Sequence, residues 1–137
     1  MAAVKKAQTA FEFLVILSIL LFILTVLLSV NFDVLKNHEN QVRILKAKDT
    51  ITELYKASNL VYSEGEGART KVFIHVPAAV YAASTDNNIL EINLTAGGEN
   101  LSIHRRVGFT VSGGIPTEKG YYWVNVTSKG SSVEISY

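Results

Sequence analysis

Glu12 stands at the very edge of an uncharged run, Phe13 to Val30, and Gln8 precedes it by four residues. That spacing is one turn of a helix. Lys5 and Lys6 lie upstream of both. A plain secretory signal or membrane anchor has no use for an acid at that place, and a carboxylate beside an apolar segment is costly unless paired. The segment therefore reads as one that is processed and then reused. A second set of groups with chemistry to offer is three Asn-x-Ser/Thr sequons: Asn93-Leu94-Thr95, Asn100-Leu101-Ser102 and Asn125-Val126-Thr127. Asn93 and Asn125 fall on the polar faces of their expected strands, and Asn100 falls beside a glycine turn. All three are candidate N-glycosylation sites on that ground.

Other chemistries lack their residues. With no cysteine, disulfides, Cys-ligated zinc, thiol catalysis and Cys lipidation are all excluded. His38, His75 and His104 are scattered without clustered carboxylates, which reads as surface or sheet histidine rather than metal ligand. Gly65-Glu66-Gly67 lacks the spacing and the following Lys-Ser/Thr of a phosphate loop. There is no Gly-x-Ser-x-Gly and no carboxylate pair in a catalytic setting. No catalytic residue, metal or cofactor is expected, and the chain does not read as an enzyme. A net charge of +1 on 137 residues implies no nucleic-acid partner. Arg105-Arg106 reads as a solvated strand edge in preference to a DNA contact. In Tyr121-Tyr122-Trp123, the middle ring points inward and the outer two point outward, toward a neighbouring head or a ligand, or under a loop.

These groups are positioned by simple elements. Phe13 to Val30 is long enough to cross a bilayer, which takes about 17 to 25 apolar residues. The lysines upstream put the N-terminus in the cytoplasm and the remainder outside. Leu28-Ser29-Val30-Asn31 is a poor signal-peptidase site, so the run is expected to stay on the mature chain. Beyond Asn31 the helical rhythm continues: Ile44, Ala47, Ile51, Leu54 and Val61 form one narrow apolar face among charges. No Pro or Gly interrupts Gln8 to Glu64, and Gly65 marks the stop. The spacing predicts one helix of roughly 80 Å at 1.5 Å per residue.

From Lys71 the period becomes two. Val72, Ile74 and Val76 share a face, as do Leu90, Ile92 and Leu94. Leu101, Ile103, Val107, Phe109 and Val111 alternate, with Arg105 on the apolar face, which calls for a bulge or break. Tyr122, Val124 and Val126, then Val133, Ile135 and Tyr137, complete the pattern. Asp86-Asn87-Asn88, Gly97-Gly98, Gly113-Gly114 and Lys129-Gly130 mark turns. An antiparallel sheet of this size needs a cover, and the amphipathic half of the helix supplies one. The expected fold is α+β: a long N-terminal helix and a small antiparallel β head, a lollipop.

Lys5-Lys6-Ala7-Gln8-Thr9-Ala10-Phe11-Glu12-Phe13-Leu14 resembles the class III signal peptide of archaeal type IV pilins. Those leaders are short and basic, are cut just before a Gln, and carry a Glu four residues on, ahead of a long apolar helix. The match is close over about thirty residues, and Ala7 departs from the Gly common before the cut. The resemblance implies a leader, 1–7, removed by a prepilin peptidase between Ala7 and Gln8. Residues 8–64 would be membrane anchor and then filament core, with Glu12 meeting the new amine of Gln8. Residues 68–137 would be the head. It implies a structural subunit of a surface filament serving adhesion. Its partners would be copies of itself, the peptidase, the assembly machinery and, before assembly, the cytoplasmic membrane. The competing readings are an archaellin, a minor pilin, or a single-pass anchored protein whose extracytoplasmic β domain binds a partner.

Overall fold

The computed structural model describes residues 2–137, with side chains from Gln8 onward. Helix α1 runs from Ala2 to Glu64. Seven strands follow: β1 (Arg69–Val76), β2 (Val80–Asp86), β3 (Ile89–Ala96), β4 (Glu99–Arg106), β5 (Thr110–Gly113), β6 (Gly120–Ser128) and β7 (Ser132–Ser136). The α+β organisation read from the sequence is the one observed. The chain divides into two compact units, 1–38 and 39–137.

In the first unit every described residue from Gln8 to His38 is exposed. Phe11, Phe22 and Phe32 keep 68%, 71% and 69% of their surface, so no stripe of this segment is spared from the surroundings. The most apolar window has a mean hydropathy of 3.1 and is 0% buried within the chain. A helix of this length and composition can cross a membrane. Its polar side chains turn inward on their own backbone. Ser18 Oγ donates to the Leu14 carbonyl at 2.8 Å, Thr25 Oγ1 to Leu21 at 2.8 Å and Ser29 Oγ to Thr25 at 3.0 Å. Each hydroxyl is thus satisfied without water.

The second unit has its own core. From α1, Ala47, Ile51, Leu54, Ala57 and Val61 are buried, in one cluster with Ile74, Val76, Leu90, Ile92, Leu94, Val124, Val126, Val133 and Ile135. The apolar face of the helix is wider than its hydrophobic residues suggest, because Thr50 and Ser58 are buried too. Thr50 Oγ1 donates within its helix to Lys46 O or across to His75 O, 2.8 Å away, which ties α1 to β1. Gly65 takes φ +97° and its N–H bonds the Tyr62 carbonyl at 3.3 Å, so the helix stops where its first glycine stands.

The strands form two sheets where the sequence predicts one. The larger has the order β1-β6-β7-β5 and the smaller β2-β3-β4. Most pairs are antiparallel, but β5 and β7 are parallel, with Val111 beside Val133. Strand β2 is a further difference: Val80-Tyr-Ala-Ala-Ser-Thr-Asp86 has no alternation of large apolar residues to announce it, and pairing with β3 makes it a strand. Gly97-Gly98 makes the two-residue β3–β4 hairpin, both glycines at positive φ. No bulge or break occurs at Arg105, which pairs in register with Leu90; the strand runs on to Arg106 with Arg105 exposed. Arg105 leaves the core and sets its guanidinium 5.6 Å from the centroid of Tyr55.

Ser58 Oγ is fully buried and has no hydrogen-bond partner among the described residues. An unmet buried hydroxyl costs about 1–3 kcal/mol. Ser58→Ala is therefore expected to raise the unfolding free energy by about 1 kcal/mol, read by chemical denaturation of the full chain in detergent. Leu54→Ala, at a site with no exposure, should lower it by about 2–5 kcal/mol.

Candidate functional site

The groups singled out in the sequence do not converge on one site. Ala7 lies outside the residues whose side chains are described. Gln8 and Glu12 lie on one face of α1, and Gln8 Nε2 donates to Glu12 Oε1 at 3.3 Å. Glu12 is thus already held by an uncharged donor one turn upstream, beside the exposed rings of Phe11 and Phe13. A carboxylate engaged by one amide keeps acceptor capacity for a cation.

The three sequons sit differently. Asn93 is half-buried on β3, two residues from Glu91 on the same face of the strand. Its partner in the sequon, Thr95, donates through Oγ1 to Asn100 Oδ1 at 3.0 Å. Asn100 is exposed just after the Gly97-Gly98 turn, and Ser102 of its sequon donates to Glu91 Oε1 at 2.6 Å. Those two sequons are thus woven into one polar network on the outer face of the smaller sheet. Asn125 stands apart, exposed on β6 in the larger sheet.

Cross-strand register builds the larger sheet's outer face. Phe73 pairs with Trp123, His75 with Tyr121, Lys71 with Asn125 and Arg69 with Thr127. The result is an aromatic row followed by a polar, basic row. Phe73 and Tyr121 stack at 5.6 Å and 8°, His75 and Tyr121 at 4.2 Å and 12°, and Trp123 leans on Phe73 at 4.9 Å and 46°. Tyr121 and Trp123 are outward, as the alternation predicts, and Tyr122 is half-buried against the core. The sequence reading missed Phe73 and His75 as their neighbours. The available signal was two rings at alternate positions on the polar side of Lys71-Val-Phe-Ile-His-Val76.

Among the described residues no cluster of three or more His, Asp or Glu is assembled that could hold a metal. Among the described residues two titratable groups are shifted, each for a local reason. Hydrogen bonds from Ser102 and then Asn93 hold the Glu91 carboxyl below the usual range, with His104 and Ser84 adding to this against some burial. Burial lowers the His75 pKa first, and the charges of Lys46 and Lys119 lower it further. Comparison with protein-family models, curated proteins and solved structures finds no match.

Both shifts act in the same direction on stability. A carboxyl lowered in the fold stabilises above the ordinary carboxylate range, and the effect is lost as acid protonates it. A histidine lowered in the fold is charged first in the unfolded chain, so stability falls as pH drops below about 6.5. Melting temperature against pH should therefore fall in two steps. His75→Gln is expected to remove the upper one and Glu91→Gln to flatten the lower one.

Proposed function

We propose that this chain is the structural subunit of a surface filament of the type IV pilin kind. On this reading it is inserted in the cytoplasmic membrane by its N-terminal helix and cut between Ala7 and Gln8. It is then assembled with copies of itself through that helix. The observation that carries the reading is the placement of Glu12 at the head of an apolar helix no part of which the chain itself covers from Gln8 to His38. Such a surface needs lipid or other helices around it. Moving it from lipid into water would expose side chains worth about 1.5–3 kcal/mol each, whereas moving it into a bundle of identical helices would not.

Glu12 gains a purpose in this scheme. Cutting before Gln8 leaves a positive amine one helical turn from its carboxylate. Two opposite charges in an apolar bundle are tolerated only when paired, and pairing between neighbouring subunits would fix their register. The second unit, which carries its own core, would be displayed outside, with adhesion as its task. Export would also bring the sequons within reach of glycosylation. The same self-contained core supports a second reading, a single-pass anchor with an extracytoplasmic binding domain that never polymerises.

N-terminal sequencing of the mature chain separates the two. A start at Gln8 is expected, and a retained Met1 in membranes would favour the anchor. With wild-type and Glu12→Ala chains co-expressed, sheared surface filaments should contain about tenfold less of the variant, the effect of losing about 1.4 kcal/mol of register-setting interaction. Equal incorporation would count against pairing by Glu12.

A further inference from the structure

We propose that Asn125 is the glycosylated sequon and that its first sugar lies on Trp123. The inference rests on the export in the reading above and goes beyond it in choosing one site and giving that site a physical role. At the other two sequons the hydroxyls are engaged: Thr95 donates to Asn100 Oδ1 and Ser102 donates to Glu91. At Asn125 neither the amide nor the Thr127 hydroxyl has a side-chain hydrogen bond among the described residues. Asn125 is exposed, and Lys71, Arg69, Thr127 and Ser136 surround it in an open depression of about 480 Å³. That depression leaves the amide open on its Thr127 side; Trp123, two residues back along β6, does not line it.

Trp123 and Asn125 are two apart on one strand, so both side chains leave the same face. Trp123 is 63% exposed, and its only ring neighbour among the described residues is Phe73. Phe73 and Tyr121, at 50% and 66%, extend the apolar strip behind it. Sugar rings carry an apolar C–H face that packs on indole. A sugar linked to Asn125 would cover rings that otherwise face water. The other exposed sequon, Asn100, follows a glycine turn and has no aromatic residue two positions before it.

The reaction is a glycosyl transfer from a polyprenyl-phosphate-linked oligosaccharide, catalysed by an oligosaccharyltransferase. Asn125 Nδ2 bonds to C1 of the sugar as the C1–O bond to phosphate breaks. The bonding electrons leave with the lipid phosphate, and one Nδ2 proton passes to a base on the transferase. No oxidant or reductant is needed.

The test uses full-length chain recovered from its source cells. Trypsin cutting after Lys119 and Lys129 isolates residues 120–129 with Asn125 alone, whereas residues 72–105 carry both other sequons. Mass spectrometry should find sugar on 120–129 in most molecules, and Thr127→Val should abolish it. An unmodified 120–129 peptide overturns the assignment. Protease added to intact cells then tells whether export failed as well, so the two readings fail separately. Trp123 is the only tryptophan, so its fluorescence reports the stacking. Asn125→Gln should make that emission about twofold more quenchable by acrylamide, as the uncovered ring meets water. Equal quenching in the glycosylated and variant chains would overturn the covering role.

Discussion

One helix must meet two incompatible surroundings, and the rest of the molecule follows from that. From Gln8 to Glu64 there is no glycine or proline to interrupt the backbone. Yet the first part is apolar on all sides, and the second is apolar on one. A segment that is hydrophobic all round cannot be satisfied by a sheet, which covers only one side. Its hydroxyls bond back to their own carbonyls and leave only side-chain surface to be matched by lipid or by other helices. The second part meets the opposite requirement. Its single stripe is the length a small β unit can cover, and the strands complete a core around it.

That covering explains why a β unit of this size holds together. Two small twisted sheets would each be marginal alone. The buried helix residues join both sheets in one cluster, and Thr50 adds a hydrogen bond from helix to strand. Salt bridges do little here. Arg43–Glu39 and Lys56–Glu53 are exposed pairs within the helix, of the kind worth a few tenths of a kcal/mol. Apolar burial carries the fold, and it does so despite Ser58, a buried hydroxyl without a partner among the described residues.

The sequence shows clearly whatever depends on local pattern. The apolar run, the helical stripe, the stop at Gly65, the Gly97-Gly98 hairpin and the inward faces of β1, β3, β6 and β7 all follow from spacing. What depends on distant partners is hidden. Strand β2 has too few large apolar residues to reveal itself, and it exists because β3 lies beside it. The division into two sheets and the parallel β5–β7 pair are choices among pairings that alternation alone leaves equal. Arg105 disturbs the alternation for a reason that lies in Tyr55, fifty residues away in sequence.

The same distinction separates the two ends of the functional argument. The Gln8–Glu12 pair is a local feature, one helical turn, and so it is legible directly. The outer face of β1 and β6 is not, because Phe73 and Trp123 meet only through cross-strand register. With β6 held by β7, a one-residue slip of β1 would turn Phe73 inward and send Val72, Ile74 and Val76 into solvent. Burial of those aliphatic side chains therefore fixes where the rings stand. The exposed aromatic row is in this sense dictated by the core, but its residue types are not. Serine or threonine at 73, 121 and 123 would satisfy the core equally well and avoid three rings in water. What the rings gain where they stand is one another: Phe73 stacks across the strands on Tyr121 and meets Trp123 at 4.9 Å.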